Sequence, residues 1–218
     1  MTSVILLSHG SPDPRSSAGA RALAGRVSRA SGLQTRSAFL DHNEPNLAHA
    51  VTGGDTIVVP LFLSAGFHLT HDVPRAVAQA RALSTGHLAI APATTVAPDF
   101  VDLIDTAVPS GPVLIATAPT RDNDAMPREL ASELRARRNQ AARHTLIPTL
   151  EQSLADLESE ALARAAIALL VLFDGVLADS ARTCAGDRFI SAPAAELPAF
   201  TDIVLRRIDQ AIPLGIAS

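Results

Sequence analysis

The sequence predicts an α/β protein of two similar lobes, each a small doubly wound parallel sheet with helices on both faces. Three observations carry this reading. Short β-branched, apolar runs alternate with helical periodicity along the chain, as in successive βα units. Those runs lack polar–apolar alternation, so they read as strands buried on both faces. The second half also repeats the first. VILLSHGSPD at Val4 aligns with VLIATAPTRD at Val113 (113 − 4 = 109), and LFLSAG and LVLFDG place Gly66 against Gly175 at the same offset (175 − 66 = 109). Further on, the APA triplets at 91–93 and 192–194 match at 101, and Pro98, Phe100 and Asp102 match Pro198, Phe200 and Asp202 at 100, so the later loop is shorter in the second copy. Four matches in chain order mark a tandem duplication. It divides the chain into lobes 1–109 and 110–218, expected to face each other across a ligand-binding cleft.

In chain order, Val4 to Leu7 is a buried strand ending at Ser8-His9-Gly10-Ser11. Pro12 and Pro14 hold the turn, and Ser16 or Ser17 is expected to cap a helix from Ala18 to Ala30, closed by Gly32. Thr35 to Leu40 is a second strand with Asp41 at its carboxyl end, and a short helix is expected from Glu44 to about Val51. After the Gly53-Gly54 turn comes IVVPLFLSAGFHLTHDVP, residues 57–74, the stretch around which the first lobe is organised. Its strand turns at Ser64-Ala65-Gly66, which sets His68 just beyond a strand's carboxyl end, the edge where open α/β sheets bind ligands. A helix from about Asp72 to Leu83, a strand from Leu88 to Ala91 and a helix from Pro98 to Ala107 complete the lobe. In the second lobe, RELASELRARRN at 128–139 reads as an exposed amphipathic helix with Glu and Arg pairs.

Composition narrows the function. Net charge is −4 and Trp and Tyr are absent, which argues against a nucleic-acid or anionic-lipid surface and against a stacking platform for single strands. An anionic substrate must therefore be met by local arginines, with Arg15, Arg75, Arg121 and Arg182 as candidates. The lone Cys184 excludes an intrachain disulfide and multi-cysteine metal patterns. MTSVILLSHGS has no basic leader and its apolar run is too short for a membrane span, so a cytoplasmic protein is expected. Neither GxxxxGK[ST] nor GxGxxG occurs, so no nucleotide requirement is expected.

The two copies differ in their polar loop residues. His9 aligns with Ala118, His68 with Leu177 and Asp41 with Leu150, and six of seven histidines lie in the first half. That asymmetry suggests one active lobe and one kept as scaffold. If strand one lies between strands two and three, Asp41, His9 and His68 project from neighbouring strand ends toward one point. Two imidazoles and a carboxylate there suit a divalent first-row metal with open coordination positions, and neutral imidazoles also accept protons. His42, His49 and His87 read as surface or core residues, His71 as a solvated neighbour of a helix start, and Phe67 as a packing residue able to lie against a ring face.

These residues carry a resemblance. SHGSPDPR at 8–15, AFLD at 38–41 followed by EPNL at 44–47, and VVPLFLSAGFHLTHDVP at 58–74 resemble the sirohydrochlorin chelatase and cobaltochelatase family, the ATP-independent class II chelatases of CbiX/SirB type, in their long duplicated form. The resemblance implies insertion of Fe²⁺ or Co²⁺ into sirohydrochlorin for sirohaem or cobalamin synthesis. His9 and His68 are then the metal-handling residues and proton acceptors, with Asp41 a metal ligand where the family usually has glutamate. Ser11, Arg15, Gly66 and Phe67 are the implied substrate contacts. The metal is substrate, no permanent cofactor is expected, and the duplicated chain is expected to act as a monomer. Two rivals share these residues: a non-catalytic carrier of metal or tetrapyrrole, and a histidine phosphatase, which ranks last because Ser8 stands where that chemistry needs arginine.

Overall fold

The computed structural model describes residues 2–95, 99–119, 125–156 and 164–212. They form two compact units, residues 1–95 with 198–218, and residues 96–197.

The first unit holds a parallel sheet of β1 (Ser3–Ser8), β2 (Gln34–Phe39), β3 (Thr56–Pro60) and β4 (Leu88–Ile90) in the order β2-β1-β3-β4. Strand one thus lies between two and three, as the site argument required. Register is set by Leu7 opposite both Ala38 and Pro60. Every residue of β3 is buried, which fits its unbroken apolar run; each such aliphatic side chain contributes roughly 1.5–3 kcal/mol on leaving water. Three helices follow the first three strands: α1 (Pro14–Ser31), α2 (Leu47–Ala50) and α3 (Val73–Leu83). The start of α1 differs from expectation because a better cap lies nearby. Asp13, with Pro14 as the first helical residue, caps α1 by accepting from the Arg15 N–H at 3.0 Å, whereas Ser17 is buried and donates to the Pro14 carbonyl. Asn46, the last residue of the Glu44-Pro45-Asn46 start, caps α2 by accepting from the His49 N–H at 3.0 Å, so the helix itself begins at Leu47.

The second unit contains α4 (Asp99–Ala107), β5 (Val113–Thr117), α5 (Met126–Arg138), β6 (Ala142–Leu146), α6 (Leu150–Ala155), β7 (Ala166–Leu170) and α7 (Val176–Ala185), with sheet order β6-β5-β7. The repeat is visible in its pairing. Val58 pairs with Ile90 in the first unit, and Ile167 bridges Ile190 in the second (167 − 58 = 109; 190 − 90 = 100). Pairing also revises one correspondence. Ser8 lies beside Phe39 and Thr117 beside Leu146; that offset of 107 puts Pro148, rather than Leu150, in the place of Asp41. Leu150 is instead a buried core residue.

The compact units do not divide at 109/110. The last helix of the first repeat, α4, belongs to the second unit, where Arg137 and Arg138 of α5 make ion pairs with Asp102 and Asp105. The last helix of the second repeat, α8 (Pro198–Ala211), belongs to the first unit, where the buried Arg207 donates to the Ala93 carbonyl at 3.3 Å. Helix α5 is amphipathic as expected, burying Leu130, Ala131 and Leu134 and exposing most of its other residues, but its last two arginines reach to α4 instead of its own glutamates. Pro98 and Arg121 lie outside the described residues. Among the described residues no helix is long and apolar enough to cross a membrane.

Candidate metal and tetrapyrrole site

At the carboxyl edge of the first sheet, the β1 and β2 loops are tied to each other. The Leu40 and Asp41 N–H groups donate to the Ser8 and His9 carbonyls at 2.9 and 2.8 Å, and the Ser11 N–H donates to Asn43 Oδ1 at 2.8 Å. The tie depends on Gly10. Its φ is +93°, and a Cβ there would stand 2.0 Å from the Asp41 carbonyl oxygen, closer than any side chain permits.

His68 arrives differently from expectation. It does not follow β3 directly but opens a wide π-helical turn, His68–Asp72, in which the Val73 N–H reaches back to the His68 carbonyl. The second repeat explains the extra width. Val73 and Val77 are the buried residues opening α3, and Ala181 and Ala185 are their buried counterparts in α7, an offset of 108 (181 − 73; 185 − 77). Since Gly66 and Gly175 match at 109, the first repeat carries one extra residue here. A π-turn houses such an insertion, and π-turns recur at functional sites.

The turn brings His68 against His9, with ring centroids 4.3 Å apart and planes at 68°. It also supplies a carboxylate that the sequence reading passed over as a helix start: Asp72 Oδ2 lies 2.8 Å from His68 Nδ1. The hydrogen bond from His68, helped by the charges of His68, Arg75 and His9, holds the Asp72 carboxyl below the usual carboxylate range. Asp72 is therefore an ionised acceptor at neutral pH, and His68 Nδ1 must be the donor. His9 Nδ1 lies 3.2 Å from the Gly10 carbonyl, and since a carbonyl only accepts, this nitrogen too carries its proton. In its neutral form each imidazole thus presents Nε2 as a bare lone pair, the form in which histidine binds a metal or takes up a proton. The signal for Asp72 was present in the sequence as the i, i+4 spacing His68–Asp72.

The other expected residues are distributed unequally. Asp41 lines the same 550 Å³ cavity as His9, His68, Asp72 and Arg75, but its Oδ1 accepts from the His42 N–H at 2.7 Å. Among the described residues no three His, Cys, Asp or Glu side chains are grouped closely enough to hold a metal ion, so the preformed His9–His68–Asp41 cluster expected from strand order is not present. Arg15 is paired with Asp13 at 2.7 Å and does not line the cavity; Arg75 does, 3.3 Å from Asp72. Arg182 is held by Asp174 and Asp179. Ser11 and Gly66 serve their loops: Ser11 Oγ accepts from the Asp13 N–H, and the Gly66 carbonyl accepts from the Leu69 N–H. Phe67 is 55% exposed rather than packed, and it stacks on His71 with centroids 4.3 Å apart and planes at 9°.

A family model described as CbiX matches residues 3–110. Over residues 3–110 the chain is thus similar to the CbiX family. The sirohydrochlorin cobaltochelatase of Methanosarcina barkeri is 33% identical over 79 residues, covering 33% of this chain and 61% of that protein; the chain thus spans about three fifths of the curated relative it matches. Two solved structures share the fold across nearly the whole chain. SirB from Bacillus subtilis with Fe³⁺ aligns with a TM-score of 0.77 at 17% identity, covering 99% of this chain and 98% of that one. The sirohydrochlorin chelatase SirB from Bacillus subtilis subspecies spizizenii in complex with cobalt aligns with a TM-score of 0.74 at 18% identity, covering 99% and 97%.

Proposed function

We propose that this protein, acting as a monomer, inserts a divalent metal, Fe²⁺ or Co²⁺, into sirohydrochlorin without ATP, as a step of sirohaem or cobalamin synthesis. The observation that carries the proposal is the His9–His68 pair, two imidazoles in contact with both Nδ1 atoms committed to acceptors and both Nε2 atoms free. The match of residues 3–110 to the CbiX family model and the likeness in fold to the metal-bearing SirB structures agree with it.

Insertion exchanges one dication for two protons. The ion, bound through the two Nε2 lone pairs, passes to the ring nitrogens, and the two pyrrole N–H protons pass to the nitrogens it vacates. Two neutral imidazoles become two imidazolium ions, so charge and protons balance. A pair of neutral nitrogen ligands with no thiolate binds weakly enough to let go. Asp72 then has a second use, because its carboxylate stabilises the imidazolium of His68. The exposed ring of Phe67 offers a face to the planar macrocycle, with Ser11 and Gly66 on the flanking loops, and Arg75 is better placed than Arg15 to meet a carboxylate of the substrate.

Mixing the purified protein with metal-free sirohydrochlorin and Co²⁺ or Fe²⁺, and following the visible spectrum, tests the proposal. Insertion above the spontaneous rate is expected, and it should disappear in His9→Ala and His68→Ala. A rate equal to the spontaneous one would make the protein a carrier.

A further inference from the structure

We infer that His42 is a third metal-handling imidazole, which swings onto the ion held by His9 and His68, and that Asp41 is the residue that presents it. This rests on the metal-handling reading above.

His42 has φ +62°, a left-handed conformation uncommon for any residue but glycine and persistent only where the surroundings over-determine it. Here they do. Asp41 Oδ1 accepts the His42 N–H at 2.7 Å, the Asn43 N–H donates to the Asp41 carbonyl at 2.7 Å, and the loop on either side is bonded to the His9–Gly10–Ser11 segment. The result sets the His42 ring 6.0 Å from the His9 ring, centroid to centroid.

That distance is informative. An imidazole nitrogen lies about 2.1 Å from a first-row ion and its ring centroid about 1.1 Å further, so two rings on one ion have centroids from about 4.5 Å at right angles to about 6.4 Å when opposed. The His9–His68 separation of 4.3 Å falls just below the short end, and the His9–His42 separation of 6.0 Å lies near the long end. The three side chains do not yet converge on one point, so the His42 ring must turn to aim a nitrogen at the ion. The side chain is 41% exposed, and Asp41 Oδ2 stands 3.6 Å from Nε2, too far for a hydrogen bond to hold the ring. With one carboxylate oxygen committed to the His42 backbone, Asp41 contributes by holding the loop.

Co²⁺ titration of the full chain without tetrapyrrole, followed by absorbance and calorimetry, separates the possibilities. Asparagine and glycine both accept the left-handed backbone, so His42→Asn and His42→Gly are the variants, with circular dichroism confirming the fold. Both should weaken Co²⁺ binding about tenfold, the scale of losing one supporting group at a metal site. Asp41→Asn, which keeps the Oδ1 acceptor, should lose less than either. The paramagnetic proton spectrum of the Co²⁺ protein should show three imidazole N–H signals, one of them absent in His42→Asn. Wild-type affinity in both His42 variants, with binding lost in His9→Ala, would overturn the role of His42 and leave the metal site standing. Absence of Co²⁺ binding by the wild-type protein would overturn both.

Discussion

The carboxyl edges of the two sheets are built alike and equipped differently. Val4 to Leu7 and Val113 to Ala116 are all buried, as are all of β3 and β7. Past the strand ends the likeness stops: His9 corresponds to Ala118, Gly10 to Pro119, Asp41 to Pro148 and His68 to Leu177. Asp72, directly before Val73, corresponds to Ser180, directly before Ala181. The histidine and the carboxylate that orients it are absent together, along with the extra residue that creates the π-turn. Strand interiors answer to packing, which both units need, whereas residues beyond the strand ends carry little of the core and are free to gain or lose chemistry.

Making the first edge resemble the second should have the largest effect. His9→Ala or His68→Leu is expected to lower the rate of metal insertion about 1,000-fold, within the range for removing a positioned proton acceptor, while the thermal midpoint stays near wild type because both side chains lie at the edge. A variant that unfolds, or one that turns over normally, would break the comparison. Gly10→Ala comes next. The β-carbon must displace the Asp41 carbonyl, and a shift on the order of 1 Å in a positioned group costs about 100-fold in rate. The matching change at the exposed Pro119 of the second edge, Pro119→Ala, should leave insertion unaffected.

Much of this contrast was legible in the sequence, and the rest was hidden for identifiable reasons. Strand positions followed from buried apolar runs, and the order β2-β1-β3, supposed there as the common one, brings His9 to His68 as the structure has it. The start of α1 was misplaced where capping residues competed, because Asp13 outdoes Ser16 and Ser17 only once the chain's direction is set. The assignment of α4 and α8 to compact units was invisible, since a helix's apolar face does not say which partner it packs on. Asp72 was missed because a residue before a Val-Pro helix start reads equally well as a cap, and only the π-turn turns its carboxylate to His68. His42 was set aside because a backbone angle of +62° leaves no mark on sequence periodicity.

Asp72→Asn should act more gently, slowing insertion roughly tenfold, the lower end of what removing a group that orients a metal-handling histidine costs. Its amide keeps an acceptor but not the charge that stabilises the imidazolium, so the defect should ease as the pH is raised. Asp72→Glu should recover part of the activity, which a merely structural residue would not require. The same carboxyl gives an acid-stability signature. Its folded pKa lies below the unfolded one, so the stability it adds is fully present above about pH 3.9 and is lost as pH falls through the lower folded value. Thermal midpoints of wild type and Asp72→Asn should therefore differ at neutral pH and converge in acid.

The smallest effect is expected from pushing the second edge toward the first. Leu177 is 38% exposed, so Leu177→His should cost no more than about 0.5 kcal/mol, the usual range for surface changes. It should bring neither a second Co²⁺ site nor added turnover, because the new imidazole would have no Asp72 to fix its tautomer, no π-turn to aim it and no partner at Ala118. A second Co²⁺ equivalent in calorimetry would mean that a single histidine suffices to build such a site. A single equivalent would mean that it takes the paired imidazole, the orienting carboxylate and the inserted residue acting as one unit.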